Sequence, residues 1–309
     1  MKNQSHSVSV IIPNKDTPPG LLTRAINSAL NQSYSVSEII IIDDASSIPF
    51  SGVQNQYPKE NIKWVVQNKK TGVASARNLG VDASSSHYVS FLDSDDYWDK
   101  DKLEKQVANM CSAKCRWSYV SAVMVDDKSN HIDTMLASNS GYIYKDLLKE
   151  MVITGSSSSV TMEKSFFNEL GGFEECSEII EDWDLWLRAS KLERVCAISS
   201  TFSYINSYSP FSRSANIKSK IARLSYFQNK YKSDYKKNKI FFYTKSYFFF
   251  KLARLHLIKG NYFATVYYFI VSLVFQPKLY INKGYVPVIK KTFYVVRGRF
   301  LRKFNPRIK

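Results

Sequence analysis

The chain is short of cysteine, of long apolar runs and, over its last third, of acids. Four cysteines, Cys111, Cys115, Cys176 and Cys196, are few for 309 residues. The Cys111/Cys115 pair has no neighbouring histidine or second cysteine pair, which excludes a zinc site of the usual spacing. The four read as reduced thiols in a cytosol. The longest apolar stretch, Tyr262 to Phe275, falls short of the ~20 residues that cross a bilayer. The N-terminal sequence MKNQSHSVSVIIP has neither the longer apolar core nor the small-residue cleavage site of a signal peptide. A soluble or peripheral protein is expected.

Acids are the sharpest shortage. Residues 210–309 hold 23 Lys+Arg and one acid, Asp234, for a net +22, whereas residues 1–209 hold 20 Lys+Arg and 26 Asp+Glu, for a net −6. The overall +16 is therefore a property of the tail, which suggests a region that meets a polyanion, either a membrane surface or nucleic acid.

What is present is a large apolar complement, 44% hydrophobic and 14% aromatic, enough for one main globular unit with something appended. Val8 to Pro13 and Glu38 to Ile42 read as strands, with Leu21, Leu22, Ala25, Ile26, Ala29 and Leu30 between them at helical spacing. The pattern repeats with a strand at Ile62 to Val66, a helix at Gly72 to Val81 and a strand at Tyr88 to Leu92. Such alternation predicts an α/β fold with a parallel sheet covered on both faces, and ligands then sit beyond the carboxyl ends of the strands. Further on, the spacing predicts a helix from Lys100 to about Ala113, a strand over Trp117 to Val125, and helices around Tyr144 to Met151, from Glu163, and across EDWDLWLRAS. A domain boundary is placed near 200–212.

Polar motifs gather where the strands end. FLDSDDYWDK packs Asp93, Asp95, Asp96 and Asp99 into seven positions. Carboxylates so close are costly to keep ionised unless a cation lies among them, and Asp-x-Asp suits Mg²⁺ or Mn²⁺ completed by water and substrate phosphates. The bland alternative is a solvated acidic turn preceding a helix. Asp43 and Asp44 end another strand, where a carboxylate could accept from a base N–H or a ribose hydroxyl, or simply make a turn. In KKTGVASARNLG, Gly72 precedes a helix whose free N–H groups favour an anion, and Arg77 could clamp a phosphate or pair with the acidic loops. The acids of EDWDLWLR could cap a helix or, beside Trp183, provide a general base.

Taken together, VSVIIPNKD, SALNQSYSVSEIIIIDDASS, GVASARNLG, YVSFLDSDDYW, LGGFEE and EDWDLWLR occur in the order and spacing of the family 2 inverting glycosyltransferases, which this chain resembles over roughly Ser7 to Ser199. The resemblance implies the GT-A nucleotide-diphospho-sugar transferase fold, with a mostly parallel central sheet flanked by helices. It divides the chain into a catalytic domain at 1–209 (nucleotide-sugar half about 1–100, acceptor half about 101–209) and a basic, aromatic, mainly helical region at 210–309. It implies that Asp44 holds a uracil ring, with Pro13, Asp16 and Asp43 around the nucleotide pocket. Arg77 would approach uracil or diphosphate. Asp93 would face the ribose, with Ser94 beside it, and Asp95 the metal, Mn²⁺ or Mg²⁺; the two aspartates form the Asp-x-Asp pair. Asp182 matches the catalytic base, with Glu181 and Trp183 shaping the acceptor side. One departure stands out: the family's Thr-Tyr-Asn after the first proline is Asn14-Lys15-Asp16 here, so the aromatic that would stack on uracil is missing.

The implied reaction is a single inverting displacement from a nucleotide sugar, UDP-linked, to a hydroxyl of a lipid-linked bacterial surface glycan, on the inner face of the plasma membrane. In the tail, Phe248, Leu252, Leu255 and Ile258 can share one helical face among cations, which suits an anionic membrane surface. Rival readings are an inactive nucleotide-sugar-binding or scaffold protein of the same fold, and a nucleic-acid module, which the acidic first part disfavours.

Overall fold

Val8 to Pro13 is apolar at nearly every position rather than at alternate ones, the pattern of a strand covered on both faces. It forms β1 (Val8–Asn14), buried throughout. Proline at the first turn of α1 (Pro19–Leu30) needs no N–H partner there, and the helix buries Leu22, Ala25, Ile26 and Ala29 as one stripe. The same unit recurs: β2 (Glu38–Asp43), the short α2 (Ser51–Gln54), β3 (Ile62–Val66), α3 (Val73–Asp82) and β4 (Tyr88–Phe91) follow. This is a computed structural model, and it describes residues 6–48, 50–58, 60–126, 128–175, 181–206, 226–227, 229–258 and 260–275.

The chain continues through β5 (Tyr97–Trp98), α4 (Lys102–Ala113), β6 (Trp117–Val125), β7 (His131–Met135), α5 (Tyr144–Lys149), a 3₁₀ turn at Ser157–Ser159, β8 (Val160–Glu163), α6 (Lys164–Glu169), α7 (Glu181–Leu192) and β9 (Cys196–Asn206). Among the described residues these nine strands make one sheet, ordered β3-β2-β1-β4-β8-β6-β9-β5 with β7 alongside β6. Strands β3, β2, β1 and β4 are parallel. β8 then runs antiparallel to both β4 and β6, and β9 parallel to β6. The expected parallel sheet is therefore the first half, and the second half is mixed. Strand order reverses between β1 and β4, and a crevice at the carboxyl ends of such a pair is where open α/β sheets bind ligands.

One sequence expectation is corrected. Cys115 and Cys196 are joined by a disulfide, with Cα atoms 6.1 Å apart, rather than both being reduced thiols. Parallel pairing of β6 with β9 sets Ser118 opposite Cys196 and so brings together two residues 81 positions apart. Cys111 is a free, exposed thiol, and Cys176 lies outside the described residues.

Contacts divide the chain into two compact units, Met1–Leu147 with Met151–Arg213, and Ser214–Lys309 with Leu148–Glu150. The second contains α8 (Lys232–Lys237), α9 (Phe241–Ile258) and α10 (Tyr262–Phe275). Gly260, at φ 76°, makes the turn between α9 and α10. These two helices pack through Phe249 stacked on Tyr268 and Phe275, through Phe250 with Phe269 and Leu273, and through Ser246 Oγ donating to the Ser272 carbonyl at 2.8 Å. Phe248 and Leu252, expected on an outward face, are buried, and the side chains of Leu255 and Ile258 lie outside the described residues.

Candidate active site

At the end of β1, Asn14 is buried and its Nδ2 donates to Asp43 Oδ1 at 2.7 Å, while the Ser46 amide donates to Asp43 Oδ2. Asp43 thus ties the ends of β1 and β2 together. Asp44 faces the next element. Its carboxylate accepts from the Thr71 amide at 2.6 Å, the Thr71 hydroxyl at 3.1 Å and the Gly72 amide at 3.0 Å. Gly72, at φ 97°, supplies the turn into α3 that a side chain would resist. Asp44 therefore fixes the entry of the helix that carries Arg77.

Asp16 holds the neighbouring loop. Its Oδ1 accepts from the Ser47 amide and hydroxyl and the Ile48 amide, at 2.6–3.0 Å, and the hydrogen bonds from Ser47 and Ile48 lower its pKa to about 2. Lys15, standing where the family's aromatic would be, donates its ammonium to the Ala45 carbonyl. Beside this clamp, at the ends of β2 and β3, a cleft of ≈ 430 Å³ is lined by Asp43, Ser46, Ile48, Phe50, Gln54 and Gln67 among others. The Phe50 ring stacks on Trp64 with centroids 5.6 Å apart. An aromatic thus borders the cleft, but it comes from the β2–β3 connection.

Arg77 joins the two acidic motifs. It is buried, with Nη2 on Asp93 Oδ1 at 2.6 Å, Nη1 on Glu181 Oε1 at 3.3 Å, and the guanidinium 5.3 Å from the Phe173 ring centre. Burial works against its charge, but Asp93 and Glu181, with Asp182 behind them, outweigh that and raise its pKa. Of the two roles open to Arg77 in the sequence, the geometry displays pairing with the acidic loops.

Beyond β4 the carboxylates divide by burial. Asp93 and Asp95 are half-buried and Asp96 is fully buried. Asp96 accepts from Ser158 Oγ at 2.6 Å and the Asn206 amide at 2.8 Å, yet burial and the charges of Asp95 and Asp93 push its pKa well up. Ser158 also accepts from the Asp93 amide and is thus a hub that sequence reading missed. Among the described residues no three His, Cys, Asp or Glu side chains group to cage an ion. The half-buried Asp93 and Asp95 offer the hard oxygen donors that Mn²⁺ or Mg²⁺ takes, in the number usual when phosphates and water complete the shell. The residues present fit such an ion.

Asp182 begins α7. Its Oδ1 accepts from the Trp183 amide at 2.7 Å and its Oδ2 from Ser156 Oγ at 3.3 Å. Trp183 Nε1 donates to the Leu147 carbonyl at 2.8 Å, which holds the ring beside Asp182. Ser94 Oγ lies 2.6 Å from Thr17 Oγ1 and links the acidic loop back to the β1 loop.

A Glycosyl transferase family 2 profile matches residues 9–171, more than half of the sequence. The chain belongs to that family. The chain spans 61% or less of the length of the first relatives it matches. Among family 2 relatives it is similar to the putative teichuronic acid biosynthesis glycosyltransferase TuaG of Bacillus subtilis, with 34% identity over 155 residues, covering 50% of this chain and 61% of TuaG. It is also similar to WfgD of Escherichia coli, a UDP-Glc:α-D-GlcNAc-diphosphoundecaprenol β-1,3-glucosyltransferase, with 28% identity over 63% of this chain and 74% of that one. The fold is that of S. aureus TarS 1-349 solved with UDP-GlcNAc, at TM-score 0.60 and 14% identity over 86% of this chain and 90% of that one. This chain therefore has the GT-A architecture expected of family 2. The profile ends before Glu181 and Asp182, which reach the site through Arg77.

Proposed function

We propose that this family 2 enzyme transfers a sugar from a UDP-sugar to a hydroxyl of a lipid-linked glycan, with inversion and with Asp182 as the base. The observation that carries it is the Arg77 bridge, which joins the Asp93 loop at the expected donor side to the Glu181–Asp182 helix start at the expected acceptor side. Asp182 takes the proton of the acceptor hydroxyl as its oxygen attacks the anomeric carbon opposite the leaving diphosphate. Arg77 keeps positive charge close to where that diphosphate departs. Asp43 and Asp44, with Pro13 and Asp16, shape the nucleoside pocket. Asp93 and Asp95 would hold Mn²⁺ or Mg²⁺, which when bound neutralises charge on the diphosphate. The UDP donor and lipid diphosphate acceptor are supported by the compounds named for WfgD and TarS.

The lipid-linked acceptor calls for a seat on the membrane, and α10 offers one. Phe263, Val266, Tyr267, Ile270 and Val274 recur at three- and four-residue spacing and are exposed, Phe263 at 88% and Val274 at 75%. This apolar stripe belongs to a region of net charge +22, the combination that binds anionic interfaces.

The test is titration calorimetry of UDP in Mn²⁺, beside an assay of transfer from UDP-sugars to a GlcNAc-diphospholipid. Asp182→Asn should lose at least a hundredfold in kcat, the usual scale for a positioned base, with UDP affinity kept. Asp95→Ala should lose UDP affinity. Equal UDP binding by the intact enzyme with and without Mn²⁺ would refute the metal assignment, and joint loss of transfer and UDP binding in Asp182→Asn would remove the base role.

A further inference from the structure

We infer that Ser156 is a positioning residue for Asp182: its hydroxyl, presented by a strained and locked loop, orients the carboxylate that receives the acceptor's proton. The inference rests on the reading of Asp182 as base.

Ser156 adopts φ 52°, ψ −150°, a region almost confined to glycine because a Cβ crowds the backbone there. Glycine would fit that backbone more easily, so what serine adds at the position is its hydroxyl. The strain persists because both flanks are fixed. On one side Thr154 Oγ1 donates to the Val120 carbonyl of β6 at 2.8 Å. Gly155, at φ 67°, lies so close to β6 that an added Cβ would sit 2.7 Å from Ala122 Cβ. On the other side Ser157, Ser158 and Ser159 are fully buried. Ser159 Oγ donates to the Ser156 carbonyl at 3.2 Å and also to the Thr154 carbonyl, and Ser158 engages the Asp93 amide and the Asp96 carboxylate. The loop is thereby fastened to the sheet and to the acidic motif together, and Ser156, half-buried, is the residue it turns toward Asp182.

With Oδ1 on the Trp183 amide and Oδ2 on Ser156, the carboxylate plane is set at both oxygens. A carboxylate oxygen has two lone pairs, so accepting one hydrogen bond does not bar it from taking a proton. Removing the hydroxyl takes away this hold on Oδ2, and a base that swings out of line loses rate rather than donor affinity.

The experiment uses the full chain, Mn²⁺ and a panel of UDP-sugars, with UDP release measured to water and to an added GlcNAc-diphospholipid, and the fastest combination retained. Ser156→Gly and Ser156→Ala are both expected to lower kcat about tenfold, the scale of one hydrogen bond to a charged group, with donor KM changed less than twofold. Their melting temperatures should separate, glycine above alanine, because only glycine relieves the backbone. A merely structural serine would instead make activity follow stability. Near wild-type kcat in either variant, or kcat values that diverge between the two, overturns the inference. Asp182→Asn is measured alongside: retained kcat there removes the base reading and this one with it, whereas its loss beside unaffected Ser156 variants removes this one alone.

Discussion

Arg77 and Glu38 each hold a charge where burial makes charge costly, and each does so by drawing partners from elements far apart in the chain. Glu38, at the start of β2, accepts from Ser9 Oγ and the Ser85 amide, both at 2.7 Å, and pairs with Lys63 at 2.6 Å. Burial pushes its pKa up, but the bonds from Lys63, Ser85 and Ser9 outweigh this and hold it down to about 2. A group depressed in the folded state stabilises above its unfolded pKa and loses that contribution as pH falls through the folded value. Glu38→Gln should therefore cost about 2 kcal/mol at pH 7, a deficit that shrinks below about pH 4.5 and disappears near pH 2. Urea melts across pH check this. The acidic motifs could be read from the sequence because crowded carboxylates at strand ends are unusual in any chain. Ser156 and Ser158 could not, since a run of four serines reads as a turn until its dihedral angles and partners are known.

At the scale of elements, α3 connects fold to site. An added Cβ at Gly80 would overlap Ile11 Cγ2 and lie 3.4 Å from Ile42 Cγ1, so this helix rests on β1 and β2 at the closest approach that a glycine allows. Gly80→Ala should destabilise the protein by roughly 1–3 kcal/mol, the range for overpacking a core. Because the displaced helix carries Arg77, UDP affinity should fall several-fold as well, measured by thermal melts and calorimetry. Strands β1 to β4 and helices α1 and α3 were legible, β1, β2 and β4 because strands buried throughout give nearly unbroken apolar runs, whereas the four-residue α2 was not. β5 has two residues, β8 follows the serine turn without its own apolar run, and β9 pairs with β6 through register shifts at Val120–Ala122. None of the three carries a period long enough to be seen in the sequence.

For the whole molecule, the charge asymmetry survives as two compact units, an acidic one with the site and a basic helical one. Among the described residues no helix is long and apolar enough to cross a membrane, and the attachment proposed for α10 is interfacial. Full-length protein should sediment with phosphatidylglycerol vesicles and much less with phosphatidylcholine. Phe263→Glu combined with Ile270→Glu should cut that binding at least tenfold without lowering UDP affinity, and undiminished sedimentation would show that α10 is not the contact. The sequence suggested the face of Phe248 and Leu252 for this contact, but those two are buried, and the exposed apolar stripe lies on α10.

β4 has a parallel neighbour on one edge and an antiparallel neighbour on the other, and Ser90 and Thr161 share a hydroxyl contact across that second edge. On the proposed function, the β1 side of this seam would serve the nucleotide and the strands from β8 onward would frame the recipient. Descendants of such an enzyme could exchange what they glycosylate by rewriting one flank, leaving the machinery for the activated sugar untouched.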